Sequence, residues 1–409
     1  MQEDIFGQLD KLDDKAGFLD FFKDIKDHRI ERKKLHRLDE IIFLAFCGYI
    51  ANCNSWEDLE LFGIEKIGFL KQFLPYENGA ASDDTLRRFF RVLDPKVFEQ
   101  KFELWVQSIM SNKSSALNIN DDSDSSKIIA IDGKTSRGSH DGNAKAIHVV
   151  SAFVAEDKIT LASRTVDCKT NEIKVIPELL DAIDLTKAIV TVDAMGAQYE
   201  IANKIINKTG DYIFSLKGNQ KTLENDVIDI FKNQNKVNKQ YINVIEDHDK
   251  CHGRFETRHC TIITDPEWIK WLIQDRHKWH TIQSVIKITS TRTIKGVASI
   301  EDRYYISSLI TTATIVLSSI RSHWMIENAL HWTLDVTFGD DKSRIRKGNA
   351  PQNMLIIKKA ALNLLQIIKS QFPRINRVRA SIARLRKIAC WTDSWLMQIL
   401  EAKYASTVQ

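Results

Sequence analysis

Two short apolar runs, each stopping at an aspartate, limit the folds open to this chain. The first, Ile128-Ile129-Ala130-Ile131, ends at Asp132-Gly133; the second, Ala188 to Val192, ends at Asp193. Runs this short and apolar at every position fit strands covered on both faces, as in the centre of an α/β sheet. Between them, Ile147–Val154 and Ile159–Val166 are β-branched and separated by the turn-like Glu156-Asp157-Lys158, which predicts a hairpin. Glu172 to Ile183 fits a helix, and a second helix follows Asp193 through Ile206. Tyr212 to Leu216 is a strand ending at Lys217-Gly218-Asn219, with a further helix through about Phe231. The predicted order is therefore β-β-β-α-β-α-β-α.

Ligands of open α/β sheets gather at the carboxyl ends of strands, which is where Asp132 and Asp193 fall. If the two strands are parallel neighbours, the carboxylates lie within a few ångströms of each other. Like charges so close are costly unless a cation neutralises them, and hard oxygen ligands select Mg²⁺ or Mn²⁺. A phosphate-binding loop is excluded, because the Gly required five positions before Gly133 is Ile128.

The flanks differ in character. Residues 1–113 read as helical, with Ile41 to Ala51 a nearly all-apolar buried segment. Ser82 or Asp83 is the expected cap of a helix carrying Leu86, Phe89 and Phe90, and Asp94-Pro95 marks another helix start. Residues 114–127 are a polar linker. Strand-like segments such as Phe255 to Thr264 and Thr281 to Thr289 occupy about 241–308, and helices resume near Thr312. Residues 371–409 form a basic helical end.

A third acid stands in the helical stretch Arg321 to Trp332. Helical spacing puts Trp324, Glu327 and His331 on one face, so Glu327 can join the strand-end pair. His323, Glu327 and His331 also form an i, i+4, i+8 stripe, which leaves a zinc site open as an alternative. The pairs Cys251-His252 and His259-Cys260 do not make a zinc cage, since His252 and His259 fall on opposite faces of a strand.

Charge and cysteine usage narrow the partners. Net charge is only +4, yet Lys342 to Cys390 holds 13 Lys/Arg and no Asp or Glu, a polyanion-facing pattern. The 6 cysteines show no CxxC pair, which suits free thiols in a reducing cytoplasm. No apolar run approaches a bilayer span and no secretory leader is expected, so a membrane partner is not. A composition of 43% hydrophobic and 27% charged residues excludes a disordered or fibrous chain.

Asp132, Asp193 and Glu327 over this element order resemble the RNase H-like fold of the DDE transposases. The stretches IAIDGKTSRGS (129–139), NEIKVIPELL (171–180), VTVDAMGAQ (191–199), YIFSLKGNQ (212–220), HGRFETR (252–258) and RSHWMIENALHWTLDVTFGDDKSRIRKGNAPQN (321–353) are more specifically similar to the ISAs-type, or H-repeat-associated, insertion-sequence transposases. Residues 27–63 and 81–102 look like the helical domain that accompanies them. Ile320 and His323 stand where the broader superfamily has Tyr and Arg, and Ser82-Asp83-Asp84-Thr85 replaces the usual Ser-His-Asp-Thr.

The resemblance implies an N-terminal helical domain (1–113) that reads DNA ends, and a catalytic domain over 128–370 with a β insertion at about 241–308. It implies metal-dependent DNA strand cleavage and strand transfer, with Asp132, Asp193 and Glu327 as catalytic residues and ligands of two Mg²⁺ or Mn²⁺ ions. Double-stranded DNA, as terminal inverted repeats and target, is the implied partner, engaged by a homodimer in a synaptic complex. Candidate DNA contacts are Arg137, Lys217, Asn219, Arg254, Arg258, Arg321, Trp324, Arg344 and Arg346. The competing expectation is a non-mobile, DNA-binding remnant of a transposon without activity.

Overall fold

The computed structural model describes residues 17–116, 126–142, 145–166, 172–251, 254–294, 297–375 and 377–402. The expected alternation is present. Strands β1 (Lys127–Thr135), β2 (His148–Val154) and β3 (Ile159–Val166) form an antiparallel meander, followed by the Glu172–Asp181 helix, β4 (Ala188–Val192), the Tyr199–Asn207 helix, β5 (Asp211–Leu216) and the Lys221–Lys232 helix. β1 lies between β2 and β4; the β1–β4 and β4–β5 pairs are parallel. This is the RNase H-like arrangement, and it rests on the apolar runs: every residue of β4 is buried, as are Ile128 to Ile131.

The β-rich segment joins this sheet edge to edge. β6 (Ile242–Cys251), β7 (Arg254–Ile263), β8 (Ser284–Ile294) and β9 (Val297–Ser307) form antiparallel hairpins, and β9 pairs with β5 from Ile213↔Ser307 to Leu216↔Tyr304. One nine-stranded sheet results, in the order β3-β2-β1-β4-β5-β9-β8-β7-β6.

Helices cover the sheet and continue its core. The Leu38–Ile50 helix is buried almost throughout, as its composition demands, and packs on the long Ala350–Gln371 helix. Ser82 caps the Asp83–Val92 helix through the Thr85 N–H, and Pro95 opens the Pro95–Ala116 helix. That helix runs past residue 113 into the expected linker, whose residues 117–125 lie outside the described ones. Asn353 donates from Nδ2 to the Phe90 and Leu93 carbonyls at 2.9 Å each, tying the N-terminal helices to the Ala350–Gln371 helix.

The expected helix over 321–332 is not regular. An α-helix spans Ala313–His323, and the chain then widens into π-helical turns at Ile326–His331 and Thr333–Thr337, with the Phe338 N–H reaching back to the Thr333 carbonyl at 3.2 Å. Such turns are uncommon and concentrate at functional sites.

Candidate active site

β1 and β4 pair in parallel with Ile131 opposite Val192, the last matched position on both strands. Asp132 and Asp193 each follow by one residue. They therefore leave adjacent strands at one level, with strand spacing of about 4.8 Å. Asp193 is held by its own loop: Oδ1 accepts the Gly196 N–H at 3.1 Å. A Cβ on Gly196 would lie 2.1 Å from Val192 Cγ1, so the tight turn behind Asp193 needs glycine.

Glu327 comes from the first π-helical turn and is exposed, while Ile326 and Leu330 beside it are buried against the sheet. The charges of Asp193, Glu327 and Glu172 all act on Asp132. Burial, helped by those three carboxylates and opposed by the Gly133 N–H, pushes the Asp132 carboxyl up to about 7. Among the described residues no three His, Cys, Asp or Glu side chains are drawn together tightly enough to cage an ion. The donor set nonetheless suits a hard, hydrated divalent ion: carboxylate oxygens at a strand end, mutually repelling until a cation enters.

A buried polar floor lies beneath Asp132. Ser151 is its partner across the β1–β2 ladder, and the buried Lys359 donates to Ser151 Oγ at 2.9 Å. Burial drives the Lys359 ammonium down to about 7. His331 Nδ1 lies 3.5 Å from Asp132 Oδ2. Burial and the nearby lysines drive its imidazole down to about 3, so it is neutral there. His323 Nδ1 sits 2.9 Å from Thr191 Oγ1 on β4. The π-helical turn thus separates the expected stripe: Glu327 faces out, His331 faces Asp132 and His323 faces Thr191. A zinc centre on those three is overturned by that divergence.

The residues after Asp132 serve as ties. Lys134 Nζ pairs with Asp335 Oδ1 at 2.5 Å, Ser136 donates to Asp340 Oδ2 at 2.6 Å, and Lys358 reaches Asp340 Oδ1 at 2.7 Å. A Cβ on Gly138 would stand 2.5 Å from the Ser343 carbonyl oxygen. The 132–139 segment and the 335–347 segment are therefore clasped together, with Arg346 Nε donating to the Gly138 carbonyl at 3.0 Å.

The expected DNA contacts divide. Arg137, Lys217, Arg344 and Arg346 are exposed, and Trp324 is partly exposed with the Arg303 guanidinium 5.3 Å from its ring centre. Asn219 is exposed, but its amide already donates to the Ala194 carbonyl beside Asp193. Arg258 does not face solvent. The charged face of β7 turns inward under the Ala313–His323 helix, where Arg258 pairs with Glu256 at 3.1 Å and with Asp247 at 3.3 Å. Arg321 pairs with the same Asp247 at 2.6 Å, joining that helix to the inserted strands. The Arg254 side chain, Cys251's side chain and His252 lie outside the described residues; His259 is exposed and Cys260 buried, on opposite faces.

The basic block is also less uniform than its composition. Lys358, Lys359 and Arg386 are buried and cannot touch a phosphate. Arg386 donates to the carbonyls of Tyr49, Cys53 and Thr337 and lies over the Phe338 ring at 4.1 Å. No side-chain pattern announced Glu172, Ser151 or Lys359 near the site. The one available signal was the NEIKVIPELL stretch, which carries Glu172.

Comparison with known proteins agrees with this geometry. The transposase DDE domain model matches residues 123–364, and the DDE_Tnp_1-associated model matches 19–106. The chain belongs to the DDE transposase family. It is 39% identical over 380 residues to "Putative transposase YncI" of Escherichia coli O157:H7, covering 90% of this chain and 92% of that one. It is 36% identical over 347 residues to "H repeat-associated putative transposase YhhI" of Escherichia coli K12, covering 83% and 88%. A piggyBac transposase synaptic complex with hairpin DNA aligns at TM-score 0.40 and 11% identity, over 92% of this chain and 76% of that one. Among the described residues no helix is long and apolar enough to cross a membrane.

Proposed function

We propose that this transposase cleaves DNA strands and transfers their ends, with Asp132, Asp193 and Glu327 as its acid triad. The observation that carries the reading is the matched exit of Asp132 and Asp193 from parallel neighbouring strands, with the Glu327 charge bearing on Asp132. Two divalent ions, Mg²⁺ or Mn²⁺, when bound between these carboxylates, supply the Lewis acidity for in-line displacement at phosphorus.

The chain's own residues do the rest. The Gly196 N–H orients Asp193, and the Ala194 carbonyl tethers Asn219, which stiffens the loop beside it. His331 stays neutral and adds no charge against an incoming cation. The clasp from Lys134 to Asp335 ties β1 to the segment that follows Glu327. Exposed Arg137, Lys217, Arg344 and Arg346 are the phosphate contacts in this reading, Trp324 is a stacking surface for a base, and residues 1–113 recognise the terminal repeats for a homodimer that pairs two ends.

The experiment is strand nicking of DNA carrying the element's ends, with Mg²⁺, beside a gel shift. Asp132→Asn, Asp193→Asn and Glu327→Gln are each expected to abolish nicking and leave the shift intact. Nicking retained by any one of them overturns the triad.

A further inference from the structure

Glu172 opens the Glu172–Asp181 helix, and its carboxylate rests against β1 next to the first strand-end acid. The space it occupies exists because residue 133 has no side chain. A Cβ on Gly133 would lie 2.9 Å from Glu172 Oε1 and 2.5 Å from His148 Nε2, so any larger residue would displace both. Glu172 Oε1 lies 2.6 Å from His148 Nε2, and His148 Nδ1 lies 2.8 Å from Thr135 Oγ1. The imidazole is thus held between the strand that carries Asp132 and the acid itself; β2 brings it there, with His148 opposite Thr135 in the ladder.

Asp132 and Gly133 are consecutive on one strand and direct their substituents to opposite faces. Glu172 therefore approaches from the face opposite Asp193 and Glu327, past the one position where nothing blocks it. Its charge opposes ionisation of Asp132 in the same sense as theirs. A hydrated divalent ion keeps several of its waters and is held directly by only one or two carboxylates. A further acid can act on such an ion through those waters without touching it.

We propose that Glu172 is a fourth acid of the cation site, bearing on the hydrated ion held at Asp132, and that His148 is the residue that positions it. This rests on the reading of Asp132 as a cation ligand and extends it to a residue outside the triad.

The test is calorimetric titration of Mn²⁺ into the full chain, without DNA, alongside thermal unfolding in chelator. Glu172→Gln is expected to weaken Mn²⁺ binding by about 10-fold or more, the usual range for a group acting from outside the direct ligands, with unfolding in chelator unchanged or raised. His148→Gln, which keeps the carboxylate and removes its tether, is expected to weaken binding by a smaller factor and covers the case in which Glu172→Gln fails to fold. Unchanged Mn²⁺ affinity in both variants, while Asp132→Asn loses the ion, overturns the role of Glu172 and leaves the triad standing. Unchanged affinity in all three variants overturns the cation site itself, and the proposal with it.

Discussion

His331 Nδ1 lies 3.5 Å from Asp132 Oδ2, and its Nε2 is buried without a hydrogen-bond partner. Burial dominates, with Lys359 and Lys134 nearby, so the imidazole resists protonation down to about pH 3. In the metal-free protein the NMR signal of this ring is expected to show no titration between pH 5 and 8. A midpoint near 6.5 would contradict the burial argument.

Asp132 gives the protein a pH-dependent weakness. Its carboxyl is raised from 3.8 to about 7, so between those values the folded chain binds more protons than the unfolded one. Stability in chelator therefore falls as pH rises from about 4 to about 7 and stays reduced above that. Asp132→Asn is expected to unfold at a higher temperature than wild type at pH 8, by a margin on the order of a few kcal/mol. The gain should shrink to nothing below about pH 4. Thermal melts at three pH values check both the sign and the window.

Arg258 and Arg344 should behave differently in DNA binding. Arg258 is buried among Asp247, Asp249 and Glu256, and its removal leaves those acids facing one another. Arg258→Ala is expected to lower stability by about 3 kcal/mol and to leave the salt dependence of the remaining folded protein unchanged. Arg344→Ala should leave stability alone and reduce the slope of log affinity against log salt by about 0.9. Fluorescence anisotropy at several salt concentrations separates the two.

Arg386 is buried with three backbone carbonyls and no carboxylate. Arg386→Ala strands those acceptors and opens a cavity beside Phe338, with an expected loss above about 3 kcal/mol in denaturant unfolding. Arg386→Lys should rescue only part of this, because one ammonium cannot span the carbonyls of Tyr49, Cys53 and Thr337.

The strand-end aspartates were legible because buried strands of similar apolar character end at the same level in a parallel pair, and the register from Lys127↔Ala188 to Ile131↔Val192 follows from those runs. Three features were not legible. The π-helical turns at Ile326–His331 depend on one shifted backbone hydrogen bond per turn, which no side-chain spacing reports. The charged face of β7 reads as a solvated one, yet Arg321 on a covering helix supplies the counter-charge that lets it turn inward. Lys358, Lys359 and Arg386 look like part of a uniform basic surface until Asp340, Ser151 and distant carbonyls are found to enclose them.

Because β9 is zipped to β5, and β5 in turn to β4, the hairpins from Ile242 to Ser307 cannot pivot as a loosely hung flap. A load applied at their far ends would travel along the backbone ladder to the strand that presents Asp193. Any adjustment there must come from twisting and bending within the strands themselves. The protein has, in effect, a stiff cantilever rooted one strand away from its acidic cleft.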